Sequence, residues 1–424
     1  MSVTDPQGFR AAGVAAGIKA SGSPDVAVVL NDGPSAAAAG VFTSNRVKAA
    51  PVLWSQQVLA GGRVRAVVLN SGGANACTGP AGFADTHHTA EHLAALLSAT
   101  AAGTEGAGQD GASRAGAGAD AAGADAAGAD AAGEAGAAAV GAGEIAVCST
   151  GLIGERLPVG RLLAGVDAAV TGAASDGGRA AADAIRTTDT VPKTCSLAGS
   201  GYTVGGMGKG AAMLAPALAT MLVVLTTDAD LSAAELDRAL RGAVGRTFDR
   251  LDTDGCMSTN DTVLLLASGA SGVRPDPAEF AGLVEQACAD LARQMQRDAE
   301  GATKAIAIEV TGAASEADAV LVGRAIARCS LLKCAIGGAD PNWGRVLAAI
   351  GTTSAIFDPD QLSVAINGVW VCKDGTGAAD RDAVDLSGRD VTITADLAAG
   401  PDSATIWTTD LTEQYVYENA AYST

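Results

Sequence analysis

Residues 206–227 read GMGKGAAMLAPALATMLVVLTT. The run MLVVLTT (221–227) carries no charge and is rich in strand formers, which predicts a buried strand. Ahead of it, GMGKG reads as a glycine-rich turn with one lysine, and Ala215-Pro216 makes a corner before Ala219-Thr220. A hydroxyl therefore stands at the mouth of a buried strand.

A threonine hydroxyl is a poor nucleophile unless a base sits beside it. Histidine is confined to His87, His88 and His92 in DTHHTAEHLAALL (85–97), which reads as a helix. Any Ser-His-Asp or Cys-His mechanism must draw on that one helix, which disfavours such chemistry. Cutting the Ala219–Thr220 bond supplies a different base. The freed α-amine has an ordinary pKa of about 7.7–8.0, so it can take a proton and return it. The same residues also fit an ordinary apolar strand that opens with threonine.

Composition bounds the rest. With 28 Lys+Arg against 47 Asp+Glu in 424 residues, the net charge is −19, which argues against nucleic acid as a partner. The start, MSVTDPQGFRAAG, lacks a basic segment followed by an apolar one, so no secretory signal is expected. The longest apolar stretch, Ala211 to Leu225, is broken by Pro216 and Thr220 and falls short of the roughly 20 residues of a membrane span. A soluble, cytoplasmic protein is expected. Cys77, Cys148, Cys195, Cys256, Cys288, Cys329, Cys334 and Cys372 form no Cys-x-x-Cys pair and read as reduced thiols. His88 and His92 are spaced to share a helix face, as metal ligands do. No cysteine or acidic cluster accompanies them, so a solvated face and no metal are expected.

Along the chain, strand and helix signals alternate, which predicts a mixed α/β fold. VAVVL (26–30), VRAVVLN (64–70) and EIAVC (144–148) read as strands. Ser232 and Glu235 form a capping box ahead of a helix. A second helix starts at Asp276-Pro277, and Phe280, Leu283, Val284, Ala287, Cys288, Leu291 and Met295 make its apolar stripe; it is expected to stop near Gly301. KAIAIEV (304–310), VTITADL and ATIWTTDL read as strands, a helix is expected near 316–330, and LSVAINGVWV (362–371) carries an Asn-Gly hairpin turn. Residues 99–143 include GADAAGADAAGADAAGEAG (118–136) and hold no large apolar side chain before Val140, so a disordered surface insertion is expected.

VCSTGLIGERLP (147–158) puts Thr150-Gly151 directly after a strand, where a hydroxyl and a backbone amide can face a developing oxyanion or simply form a turn. Lys209 fits a carboxylate partner or a surface lysine on a glycine turn. Glu300, at the expected helix end, fits an ammonium partner or a solvated terminus. GMGKG lacks P-loop spacing, because Gly210 follows Lys209.

Six motifs in order then carry a resemblance: TTDTVPK (187–193), KGAAMLAPALATML (209–222), STNDTVLL (258–265), DAEGATK (298–304), GADPNWGRVLAAIG (338–351) and DLTEQYVYENAAYST (410–424). The chain resembles the ornithine acetyltransferase (glutamate N-acetyltransferase) family of arginine biosynthesis, over essentially everything except 99–143. The resemblance implies a layered α/β sandwich of the self-cleaving N-terminal-nucleophile type. It implies cleavage between Ala219 and Thr220 into an α chain (1–219) and a β chain (220–424) whose smaller domain covers about 305–424. Acetyl would pass from N2-acetylornithine to Thr220 and then to L-glutamate. Thr150 and Gly151 match the oxyanion pair; Thr187, Lys209, Thr220, Glu300, Asn419 and Thr424 match substrate contacts. No cofactor is implied, although bifunctional members also take acetyl-CoA as donor, and the assembly is an α2β2 heterotetramer. Two rivals are an N-terminal-nucleophile amidohydrolase or aminopeptidase, which would release free acetate, and a nucleotide-binding scaffold, which would keep an intact chain.

Overall fold

The computed structural model describes residues 2–106, 139–214 and 221–421. Its first strands are β1 (Phe9–Val14), β2 (Val26–Asn31), β3 (Ala38–Phe42), β4 (Ala66–Gly73) and β5 (Ile145–Leu152). Next come β6 (Lys193–Ala198), β7 (Thr203–Lys209), β8 (Leu222–Thr227) and β9 (Thr262–Ala267). The last are β10 (Ala305–Ala313), β11 (Ser363–Ile366), β12 (Val369–Lys373), β13 (Thr376–Gly377), β14 (Asp390–Asp396) and β15 (Asp402–Thr409). The helices are α1 (Ala50–Ala60), α2 (Gly79–Gly106), α3 (Val159–Thr171), α4 (Gly178–Ala184) and α5 (Ala233–Arg246). They continue with α6 (Pro277–Arg297), α7 (Glu316–Ala327), α8 (Ser330–Gly337), α9 (Trp343–Ile350) and α10 (Glu413–Ala421).

The strand predicted from MLVVLTT is β8, and all six of its residues are buried. Its alternation explains the layering. Leu222 and Val224 join Val28, Val68 and Val147 in a core shared with the sheet β1-β2-β4-β5. Val223 and Leu225 face the other way, into a second core with Leu236 and Leu240 of α5 and Val284 and Leu291 of α6. Helices α2 and α3 contribute Leu93 and Val166 to the first core. The result is a mixed α/β sandwich in which the sheets β1-β2-β4-β5 and β3-β9-β8-β7-β6 lie between helices. A third sheet, β13-β12-β11-β14-β10-β15, packs with α7, α8 and α9 around its own core.

Local signals explain the ends of these elements. Ser232 and Glu235 complete the expected capping box of α5. Asp276 accepts from the N–H groups of Ala278 and Glu279, and Pro277 opens α6. Asn367 and Gly368 adopt positive φ in the β11–β12 hairpin. The eight cysteines are free thiols. His92 pairs with Asp167 at 2.7 Å and His87 with Glu91 at 3.5 Å.

Three expectations need correction. GMGKG is not a turn; residues 206–209 belong to β7, antiparallel to β8. Its glycines serve close packing: a Cβ on Gly206 would stand 2.7 Å from Leu225 Cδ2 and 2.8 Å from Cys195 Sγ, beneath α6. The helix expected to reach Gly301 ends at Arg297, so Glu300 lies in the turn beyond it, its N–H donating to the Ala211 carbonyl at 2.8 Å. The stretch 99–143 is not irregular from its start, because α2 runs on to Gly106; the repeat at 118–136 lies outside the described residues.

Gly206→Val is expected to lower stability by about 1–3 kcal/mol, the usual cost of forcing methyl groups into a filled core. A fall in the urea midpoint at constant slope checks it.

Candidate active site

The sequence nominates Thr150 and Gly151, and both sit at the carboxyl end of β5. Strands β4 and β5 run parallel, with a register shift at Gly72/Gly73. Gly151 has φ +125°, and a Cβ there would lie 2.5 Å from the Gly72 carbonyl carbon, so only glycine fits. The neighbouring Thr150 is 1% exposed, and its hydroxyl is buried without a hydrogen-bond partner among the described residues. Buried hydroxyls are normally paired, so this one is an exception that calls for an explanation. Thr150, Gly151, Thr187, Met213, Ser258 and Asn260 are among the residues lining one small cavity.

Asn260 fixes the width of that cavity. Its side-chain amide donates to the carbonyls of Ala74 at 2.6 Å and Ser149 at 2.8 Å, tying the entry to β9 to the ends of β4 and β5. Next to it, Asp261 accepts from the N–H of Met221 at 2.8 Å, so the start of β8 is held at the same place. Ala219 and Thr220, the expected cleavage pair, and Thr424 lie outside the described residues.

Thr187 links the cavity to an open cleft. It lines both, whereas its neighbour Thr188 lines only the cleft. The Thr187 hydroxyl accepts from Lys209 Nζ at 2.7 Å. Glu300 lines the cleft, and Asn419 Nδ2 donates to its carboxylate at 2.9 Å. Helix α10 thus brings Asn419 to the site. Burial first, then the negative neighbours Asp254, Cys256 and Glu300, push Tyr415 of the same helix up to about 12, so its phenol stays neutral. Thr150, Gly151, Thr187, Lys209, Glu300 and Asn419 form one continuous constellation.

Lys209 is not the surface lysine that a glycine turn allowed; a carboxylate of the chain itself stands beside it. It is 1% exposed and stands 3.6 Å from Asp189 Oδ2. Lys193 Nζ donates to Asp189 and to Asp298, each at 2.6 Å, and the Gly210 N–H donates to Asp189 at 2.7 Å. Burial pushes the Asp189 carboxyl up, but Lys209, Lys193 and the Gly210 amide outweigh it and hold it well below the usual carboxylate range. Burial lowers Lys209 from its ordinary value, with Asp189 opposing. Sequence reasoning quoted Asp189, Lys193, Asn260, Asp261 and Asp298 inside motifs but gave them no role. The available signal was charge within hydroxyl-rich or apolar segments, where it cannot stay solvated.

Asp189→Asn would leave two buried ammonium groups short of a partner. It is expected to cost about 3–5 kcal/mol in a denaturant titration near neutrality. Because the folded carboxyl titrates below its unfolded value of about 3.9, its contribution is complete above that pH and disappears as pH falls through the folded value. The variant's deficit should therefore shrink in acid.

The ArgJ family profile matches residues 10–105 and 111–424, so most of 99–143 falls inside the match rather than outside it. The arginine biosynthesis bifunctional protein ArgJ of Thermobifida fusca is 64% identical over 424 residues, covering 100% of each chain. The protein of the same name from Streptomyces avermitilis is 62% identical over 423 residues, again 100% of each. Among solved structures, the ornithine acetyltransferase of Mycobacterium tuberculosis complexed with ornithine is 54% identical. The match covers 52% of this chain and 96% of that one, at a TM-score of 0.42. With a family match over nearly its whole length and full-length relatives above 60% identity, this chain belongs to the ArgJ family.

Proposed function

We propose that this acyltransferase of arginine biosynthesis moves acetyl from N2-acetylornithine to L-glutamate through Thr220, which becomes an amino terminus when the Ala219–Thr220 bond is cut. The observation that carries the reading is the buried, unpartnered hydroxyl of Thr150 beside the obligatory glycine at 151, in the wall of a cavity next to the start of β8. Names of the full-length relatives support the pathway.

In the first half-reaction the Thr220 hydroxyl adds to the acetyl carbonyl and its proton passes to the Thr220 α-amine. The Thr150 hydroxyl and the Gly151 N–H take the negative charge that forms on the carbonyl oxygen. The C–N bond then breaks, the ammonium returns its proton to the departing ornithine amine, and an acetyl ester remains on Thr220. In the second half-reaction the glutamate α-amine attacks that ester, and the same proton path runs in reverse. Each oxyanion donor is worth about 10²–10³ in rate.

The remaining residues bind and orient. Lys209 holds the Thr187 hydroxyl where it meets the substrate's polar groups. Glu300, set by Asn419, offers a carboxylate to the side-chain ammonium of ornithine, and Thr424 supplies the last contact. No resident cofactor enters this scheme, and acetyl-CoA serves as a second donor. The assembly is a cytoplasmic α2β2 heterotetramer of chains 1–219 and 220–424, with 305–424 as the smaller domain of the second. Among the described residues no helix is long and apolar enough to cross a membrane.

Intact mass of the purified wild type should give two fragments divided between Ala219 and Thr220, and Thr220→Ala a single inactive chain. An uncut wild type that still makes N-acetylglutamate would sink the mechanism. Thr150→Val should cleave more slowly and lower kcat by about 10²–10³ with KM changed far less, the pattern of a group that acts in the transition state.

A further inference from the structure

Asp261 is fully buried, and the scheme above gives it no part. It stands just before β9, whose first residue pairs in parallel with the first residue of β8 (Leu222↔Thr262). Its main-chain carbonyl faces the other neighbour and accepts from the Thr43 N–H at 3.0 Å. The side chain serves β8 instead. Oδ1 accepts from the Met221 N–H at 2.8 Å, while the Thr262 N–H donates to the Met221 carbonyl at 3.1 Å. Both peptide groups of Met221 are therefore held by the residues opposite. Oδ2 is buried with no partner among the described residues.

We propose that Asp261 is the positioning residue for the nucleophile: a buried carboxyl that grips the first peptide N–H after residue 220 and so sets where the new amino terminus points. The proposal rests on the reading of Thr220 as that terminus. After cleavage, residue 220 is joined to the fold by one peptide bond alone, and the amide of that bond is the one Asp261 holds. Small misplacements of a reacting group cost about 10²-fold in rate.

The protonation state of Asp261 matters to the same end. Burial pushes its carboxyl well above the usual range; the Met221 N–H and Lys209 on β7 pull it back only in part. One residue of chain spans at most roughly 3.6 Å, so an amine at position 220 is within electrostatic reach. An ionised carboxylate there would hold that amine as ammonium and remove the base. A neutral acid orients the chain and leaves the amine free.

The test compares Asp261→Asn and Asp261→Ala in the full chain, with Thr220→Ala alongside. Asn keeps an acceptor for the Met221 amide and carries no charge at any pH. It should cleave and should keep kcat within about threefold of wild type, with an unshifted pH profile of kcat/KM. The infrared carboxylic-acid C=O band of the wild type at neutral pH should lose the Asp261 component in Asp261→Asn. Asp261→Ala should lower kcat by about 10²-fold with a much smaller change in KM. An Asn variant as slow as Ala, with a displaced pH profile, would overturn the proposal, as would an Ala variant equal to wild type. If Asp261→Ala does not fold, as judged by its melting curve, the Asn variant and the infrared band decide. Activity retained by Thr220→Ala would instead bring down the reading of the nucleophile itself, whatever the Asp261 variants do.

Discussion

The amide of Asn260 is the tie on which the site depends. In the proposed mechanism the oxyanion donors come from the end of β5 in one sheet, and the nucleophile's strand, β8, lies in the other. Nothing in either sheet alone fixes the gap between them. Asn260, at the entry to β9, reaches across and donates to the carbonyls of Ala74 and Ser149. The Ser149 carbonyl belongs to the peptide unit that leads into Thr150, so the same bond orients the residue whose hydroxyl is kept unpaired. One position later, Asp261 holds the start of β8. Two adjacent side chains of STNDT thus locate the end of β5 and the start of β8 relative to each other.

Buried charge is the second constraint. Lys209 and Lys193 are nearly inaccessible, and each would be costly alone. Asp189 accepts from Lys193 and from the Gly210 amide and stands beside Lys209, and Asp298 completes the set from the end of α6. A network satisfied in this way is rigid, because moving any member strands the others. Its output is the hydroxyl of Thr187, which Lys209 holds at the junction of cavity and cleft.

Much of this was legible in the sequence. The continuous apolar run of β8, the capping box at Ser232, the stripe of α6 and the Asn-Gly hairpin all announce themselves through local chemistry, and each forms as read. GMGKG was misread because glycine signals both turns and close packing. Only the three-dimensional approach of α6 tells which applies. The site divides along the same line. Thr150, Thr187 and Glu300 could be named from motifs, but the burial of Lys209 against Asp189 could not, because the two are brought together by the sheet rather than by spacing. Asp261 sat inside a quoted motif unassigned, since a single carboxylate in sequence carries no sign of whether it will be solvated or enclosed.

The middle sheet has one more consequence. Its order, β3-β9-β8-β7-β6, interleaves strands from before residue 214 with strands from after residue 221. Strand β9 pairs with β3 on one side and β8 on the other, and β8 pairs in turn with β7. A chain divided between those residues would therefore remain one body, because separating the halves means stripping two ladders and opening two apolar cores to water. Each half made alone would carry bare strand edges, which invite pairing with other chains. Two pieces made by such a cut would be not subunits that meet after synthesis but complementary parts of a single fold, and the proposed cleavage would have to follow folding rather than precede it.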